Sequence, residues 1–191
     1  MQKKRIAIFA SGNGSNALNL IQHFAASTKA EIAFVLTNRS DAGVLVKAKN
    51  AGIPTFILSN EEIESGNSVV EICQNESVDL IVLAGFLRKI PHQLIAKYPN
   101  SIVNIHPALL PKYGGKGMYG DHVHRAVIES GEKESGISIH LVNEQFDEGE
   151  LVAQFKCQVA DTDSVESLRQ RVQNLEHAHY AEVVQELIEK K

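Results

Sequence analysis

Tryptophan is absent from this 191-residue chain, aromatic residues make up only 6% of it, and cysteine occurs twice. Cys73 and Cys157 lie far apart, each inside an apolar pattern, which excludes a disulfide framework and any metal-type cysteine spacing; they read as reduced core residues. No basic run occurs and the formal net charge is −4, so a nucleic-acid partner is not expected. No apolar run approaches the length of a membrane span. The start, Met1-Gln2-Lys3-Lys4-Arg5, carries the charge of a signal sequence. The apolar stretch Ile6–Ala10 is too short for its core, however, and Gly12-Asn13-Gly14 follows at once. These absences point to a cytoplasmic protein with no nucleic-acid or membrane partner; separately from them, small-molecule substrates and a monomer or weak homodimer are expected. What is present, 43% hydrophobic and 22% charged residues, is the composition of an ordinary globular protein, and the length fits one domain spanning 1–191.

Apolar runs and helical patterns alternate over the first hundred residues. Residues 5–10, 31–37, 55–58, 79–84 and 101–105 read as strands buried on both faces, as in a parallel sheet. Helices are predicted over about 15–26, 44–50, 68–76 and 91–97, with Pro91 suited to a first turn. Repeated strand–helix units imply right-handed crossovers and an α/β fold, a Rossmann-like doubly wound and mostly parallel sheet. The pattern changes after Pro107. A glycine-rich loop, Gly114–Gly120, precedes a helix over 121–130. Then 136–142 alternates Ile137, Ile139 and Leu141 against Ser138 and His140, the pattern of a half-exposed strand, and 151–159 alternates likewise. These two are predicted to pair as an antiparallel addition to the sheet. A final helix follows, capped by Asp161 or Asp163, with Val165, Leu168, Val172 and Leu175 at helical spacing.

Four stretches carry chemistry. In Ser101-Ile-Val-Asn-Ile-His-Pro-Ala-Leu-Leu-Pro111 a strand ends at a proline, and Asn104 and His106, two apart, share a face at its C-terminal end. An amide beside an imidazole can hold and protonate an oxygen that gains charge, as acyl transfer requires; the plain alternative is two satisfied polar residues at a strand end. Ser11-Gly12-Asn13-Gly14-Ser15-Asn16 joins the first strand to a helix, where glycines and free N–H groups suit a phosphate. A tight turn with a serine cap fits that stretch equally well. It is neither a Walker loop nor the dinucleotide fingerprint, which counts against a nicotinamide enzyme. The loop 142–149 is rich in carboxylates; one held near His106 would raise the imidazole pKa above its usual value of about 6.5, whereas by composition the loop is a solvated hairpin turn. Finally, Ala84–Ile90 sets Arg88 beside Phe86, Leu87 and Ile90, read as exposed apolar residues that suit a flat ligand bearing a carboxylate; an ordinary strand-to-helix loop fits that stretch about as well. His122 and His124 have no third metal ligand at sensible spacing and read as surface or lid residues, as do His177 and His179. No metal is expected.

Taken with Leu83-Ala84-Gly85-Phe86-Leu87-Arg88, Asn104 to Lys112, Phe146-Asp147-Glu148-Gly149 and Glu176-His177-Ala178, the Ser11–Asn16 loop makes the chain resemble the folate-dependent glycinamide ribonucleotide transformylases of purine synthesis. The resemblance implies catalytic roles for Asn104, His106 and Asp147. It implies that Gly14, Ser15 and Asn16 hold the substrate phosphate, while Gln173 and Glu176 reach its ribose or glycinamide end. Leu87, Arg88, Lys89 and Ile90, with Asn104, Asn143, Glu144 and Asp147, would line the site for 10-formyltetrahydrofolate, largely through backbone. Two stretches depart from the family. Where it often places an arginine for the folate's glutamate tail, this chain has Glu61, Glu62 and Glu64, and the loop Gly114–Gly120 is longer and richer in glycine. A formyltetrahydrofolate hydrolase would use the same Asn–His–Asp set on water, usually behind an additional N-terminal regulatory domain; the first strand here begins at about Arg5. A non-catalytic phosphosugar-binding module of the same fold would tolerate loss of Asn104 or His106, and both are present.

Overall fold

The structure, a computed structural model, describes residues 2–190. In chain order the elements are β1 (Lys4–Phe9), α1 (Ser15–Phe24), β2 (Ala30–Thr37), α2 (Gly43–Asn50), β3 (Thr55–Ile57), α3 (Asn60–Ser65), α4 (Asn67–Asn75), β4 (Leu80–Leu83), α5 (His92–Lys97), β5 (Ile102–His106), α6 (Asp121–Glu129), β6 (Glu134–Leu141), β7 (Leu151–Gln158) and α7 (Val165–Glu189). The strands form one sheet in the order β3-β2-β1-β4-β5-β6-β7. The chain divides into two compact units, residues up to 103 together with those from 181 on, and residues 104–180. Among the described residues no helix is long and apolar enough to cross a membrane.

In the first unit β1 pairs in parallel with both β2 and β4, and β2 with β3. Ile6, Ala7, Ile8, Phe34, Val35, Leu80 and Ile81 are fully buried, which is why these strands read as unbroken apolar runs. α1 buries Ala17, Leu20, Ile21 and Phe24, the i, i+3, i+4, i+7 stripe of a helix packed on one face. Because β2 and β4 flank β1, the chain reverses direction across the sheet between β1 and β4. The loops after those two strands are therefore where an open α/β sheet leaves a crevice. Ser11 ties these loops together. Its N–H donates to the Gly85 carbonyl at 3.0 Å, while its hydroxyl accepts from the Leu87 N–H at 3.0 Å and donates to Asn38 Oδ1 at 2.6 Å. α3 was not anticipated from the sequence. It is held by a capping box in which Ser59 accepts from the Glu62 N–H and the Glu62 carboxylate returns to the Ser59 N–H, so part of that acidic stretch is helix-start chemistry.

In the second unit β6 and β7 are antiparallel, as predicted. β6 is not half-exposed, however: residues 135–140 are all buried. Ser138 and His140 go inside because both find partners there, whereas the buried Ser135 Oγ has none. Ser138, 0% exposed, donates its hydroxyl to the Ala108 carbonyl at 2.6 Å and accepts from the Leu110 N–H at 2.9 Å and Gln154 Nε2 at 2.8 Å. That fills the hydroxyl's donor and both acceptor positions. At the start of α7 the capping residue is Ser164, which accepts from the Ser167 N–H at 3.1 Å, and neither Asp161 nor Asp163 takes that role. Asp163 accepts two hydrogen bonds from the Arg171 guanidinium, at 2.6 and 2.9 Å. That pairing, with the Ala160 N–H, holds its carboxyl far below the usual carboxylate range.

Candidate active site

β5 delivers Asn104 and His106 to one face at its C-terminal end, as its period of two requires. Asn104 is half-buried and His106 is 3% exposed. Two further side chains from the second unit meet them. Asp147 approaches with Oδ2 3.6 Å from His106 Nδ1 and Oδ1 3.5 Å from His140 Nε2. Asn104 Nδ2 lies 3.1 Å from His140 Nε2 and 3.5 Å from Asp147 Oδ1. One carboxylate thus sits between two imidazoles, with an amide beside it.

The hydrogen bonds fix the tautomers. A carbonyl can only accept, so His106 Nε2, 2.7 Å from the Tyr113 carbonyl, carries its hydrogen, and so does His140 Nδ1, 2.9 Å from the Leu141 carbonyl. In a neutral His140 ring Nε2 then accepts from Asn104. In each ring the nitrogen facing Asp147 gains a hydrogen only on protonation. Tyr113 and Asp147 both have left-handed backbones, at φ 58 and 57, and Tyr113 is a residue type that rarely adopts one. The turn that brings Asp147 back depends on a close approach at Gly149, where a Cβ would stand 1.7 Å from the Leu141 carbonyl oxygen.

The electrostatics correct one expectation. The pKa of His106 is lowered, because burial outweighs the upward pull of the Asp147 charge and the Tyr113 carbonyl; His140 lowers it further. For Asp147 burial is the largest single influence and pushes the carboxyl up. The hydrogen bond that His140 gives it when Nε2 is protonated, the Gly115 N–H at 2.9 Å and the two imidazoles together hold it below its ordinary range. The resting arrangement is an ionised carboxylate and a His106 that is harder to protonate than a free imidazole.

The other predicted residues are placed as follows. Gly14 precedes α1 in a left-handed conformation without a side-chain cap, and Ser15 and Asn16 open the helix, both half-buried. Leu87 is 55% exposed, Arg88 half-buried and Lys89 exposed. Phe86 and Ile90, read from sequence as exposed, are buried. Phe86 packs edge-on against Phe9 with ring centroids 5.5 Å apart, so apolar residues in that loop serve the core. Asn143 and Glu144 are exposed; Asn143 Oδ1 accepts from the Gln145 N–H at 2.9 Å and its Nδ2 donates to the Glu148 carbonyl at 3.2 Å, closing the acidic loop on itself. Gln173 and Glu176 are half-buried, three apart on one face of α7. His124, expected at the surface, is 3% exposed and its Nδ1 has no hydrogen-bond partner; burial lowers its pKa. Among the described residues no group of three or more His, Cys, Asp or Glu side chains could hold a metal ion.

His140 is the member of the cluster that sequence reasoning missed. The signal was there: it stands two residues after Ser138 on the polar face of a strand leading straight into the acidic loop.

A doubly wound sheet with a buried imidazole–amide–carboxylate cluster at a strand end provides the parts of an α/β acyl-transfer enzyme. The formyl transferase family matches residues 4–184, and the chain belongs to that family. It is 39% identical to the chloroplastic phosphoribosylglycinamide formyltransferase of Arabidopsis thaliana over 100% of this chain and 67% of that protein. It is 36% identical to the phosphoribosylglycinamide formyltransferase of Haemophilus influenzae over 95% of this chain and 85% of that one. The chain spans about two thirds of the length of its plant relatives, 67% and 63% of the Arabidopsis and Vigna unguiculata proteins. The crystal structure of phosphoribosylglycinamide formyltransferase from Anaplasma phagocytophilum superposes with a TM-score of 0.90 at 29% identity, covering 100% of this chain and 89% of that one.

Proposed function

We propose that this protein transfers the formyl group of 10-formyltetrahydrofolate to the primary amine of glycinamide ribonucleotide, yielding formylglycinamide ribonucleotide and tetrahydrofolate in purine biosynthesis. The observation that carries the reading is Asp147 set between His106 and His140 beside Asn104; the names of the relatives supply the substrate. The amine attacks the formyl carbon directly, a C–N bond forms and the carbonyl oxygen gains charge. The Asn104 amide and the His106 imidazole hold that oxygen. His106 reaches it when its Nε2–H leaves the Tyr113 carbonyl, a neutral acceptor, for an oxygen that is becoming anionic. The tetrahedral intermediate collapses as the C–N bond to the folate breaks. His106, with Asp147 favouring its charged form, delivers a proton to the folate nitrogen; the proton lost by the attacking amine passes through a water positioned by Asp147 and returns to His106, so the residues end as they began. A depressed pKa makes the imidazolium scarcer but a stronger acid.

On this reading Gly14, Ser15 and Asn16 bind the phosphate, and Gln173 and Glu176 the ribose or glycinamide end. Leu87–Ile90, Asn104, Asn143, Glu144 and Asp147 line the folate site. Residues 1–191 act as one formyltransferase domain, cytoplasmic, monomeric or weakly dimeric, without a metal. The test is to incubate the protein with formylfolate, with and without glycinamide ribonucleotide, and follow folate release by absorbance. Release that requires the ribonucleotide supports the reading. Equal release without it makes the protein a hydrolase, and no release under either condition makes it a binding module.

A further inference from the structure

Lys47, half-buried on α2, donates to two oxygens of one residue, the Asn13 carbonyl at 2.5 Å and Asn13 Oδ1 at 2.7 Å. Both are neutral, and Lys47 forms no ion pair with any described residue. The preceding carbonyl, that of Gly12, accepts from the Val44 N–H of the same helix at 3.2 Å. Two successive carbonyls are therefore drawn towards α2. In a trans peptide the C=O and the following N–H point in opposite directions, so the N–H groups of Asn13 and Gly14 are turned away from α2. Neither donates to any described protein group. Gly14 completes the arrangement: at φ 75 it is left-handed, and a Cβ there would stand 2.5 Å from Val44 Cγ2. Successive backbone donors turned to one side of such a bend form a concave site for an anion.

We infer that Lys47 is a positioning residue for the phosphate: it acts through Asn13, locking the peptide that presents the Gly14 N–H. The inference rests on the assignment of the phosphate to Gly14–Asn16. It explains why an ammonium is spent on neutral oxygens: a lysine can hold a carbonyl and its side-chain amide oxygen at once without placing a negative charge beside the anion.

The test compares K47M, K47R and the control K49M, a lysine on the same helix that is exposed. K47M should raise KM for glycinamide ribonucleotide about tenfold, the usual scale for a charge-assisted hydrogen bond, with kcat unchanged. K47R should recover most of the loss, and K49M should behave as wild type. With the dephosphorylated nucleoside as substrate, K47M and wild type should not differ. An unchanged KM in K47M, or an equal rise for substrates with and without phosphate, overturns the inference. Titration with inorganic phosphate, followed by the amide resonances of Asn13 and Gly14, separates this from failure of the functional reading, because it needs no turnover. Weaker phosphate-induced shifts in K47M support the inference even if the ribonucleotide proves not to be the substrate, and equal shifts overturn it.

Discussion

On the proposed function, the two units deal with negative charge by different means. In the first, the Gly12–Asn16 loop offers backbone N–H groups whose directions are set by two contacts from α2, and consecutive residues do the work. In the second, the charge-handling groups are side chains from three separated stretches, at 104 and 106, at 140 and at 147, set together so that His106 and Asp147 shift each other's protonation and His140 bears on both. A backbone site tolerates changes of side chain and fails when its geometry fails. A buried side-chain site keeps its fold through conservative changes and fails when one charge is misplaced.

The sharpest way to break this contrast is His106→Ala. We expect kcat to fall by at least about a hundredfold with the fold intact, since a positioned acid or oxyanion donor is worth that much; near-normal turnover would remove His106 from the chemistry. Asp147→Asn comes next. It keeps the size of the side chain but removes the charge that opposes burial, so the His106 titration followed by NMR should move to still lower pH, and turnover near neutrality should drop about tenfold to a hundredfold. If the His106 midpoint stays put, Asp147 is a loop residue and no more.

In the first unit the corresponding experiment is geometric. Gly14→Ala puts a Cβ into Val44 and forces an L-residue into a left-handed conformation, at a cost of about 1–3 kcal/mol. A lower melting temperature together with weaker ribonucleotide binding is expected. Unaltered binding would show that the loop's backbone does not hold the phosphate.

The smallest effect is a slope. His106 and His124 are both buried with pKa values below the ordinary one. As pH falls below about 6.5 the unfolded chain takes up protons that these rings refuse when folded. Stability should therefore be complete above that pH and decline below it, by at most about 1.4 kcal/mol per pH unit for each group. His124→Phe removes one such group along with an unpartnered buried nitrogen, so urea midpoints measured between pH 7.5 and 5 should fall less steeply in that variant. Identical slopes would mean that His124 does not resist protonation.

How much was legible follows the same divide. The parallel strands matched their apolar runs to within a residue or so. For β1, β2 and β4 the reason is burial on both faces, which leaves mostly apolar side chains; β3, expected to be buried likewise, exposes Thr55 and Ile57 at the sheet edge. α1 announced itself by its spacing. The Gly12–Asn16 turn was readable because its parts are adjacent in the chain. β6 was misread because alternation was taken as exposure, when Ser138 and His140 are polar residues with buried partners. His140 could not be joined to Asn104 and His106 without knowing that β5 and β6 are neighbours in the sheet. The direction of the His106 shift was missed for a related reason: a nearby carboxylate can be guessed from a sequence, whereas depth of burial is a property of the assembled fold. Phe86 and Ile90 show the reverse error, apolar residues in a loop read as ligand contacts when they belong to the core.

Ser138 carries a consequence for motion. Its hydroxyl binds the Ala108 carbonyl and the Leu110 N–H, so the segment immediately after His106 is stapled to a strand that also carries His140. That segment has no hinge of its own at this point. The Leu110 amide hydrogen should exchange with solvent only when the β6–β7 hairpin opens, at a rate shared with the hairpin's slowest amides and far below that of the exposed loop beyond Lys112. Fluctuations that carry His106 and those that carry His140 should then rise and fall together, as the opening of a single cooperative piece.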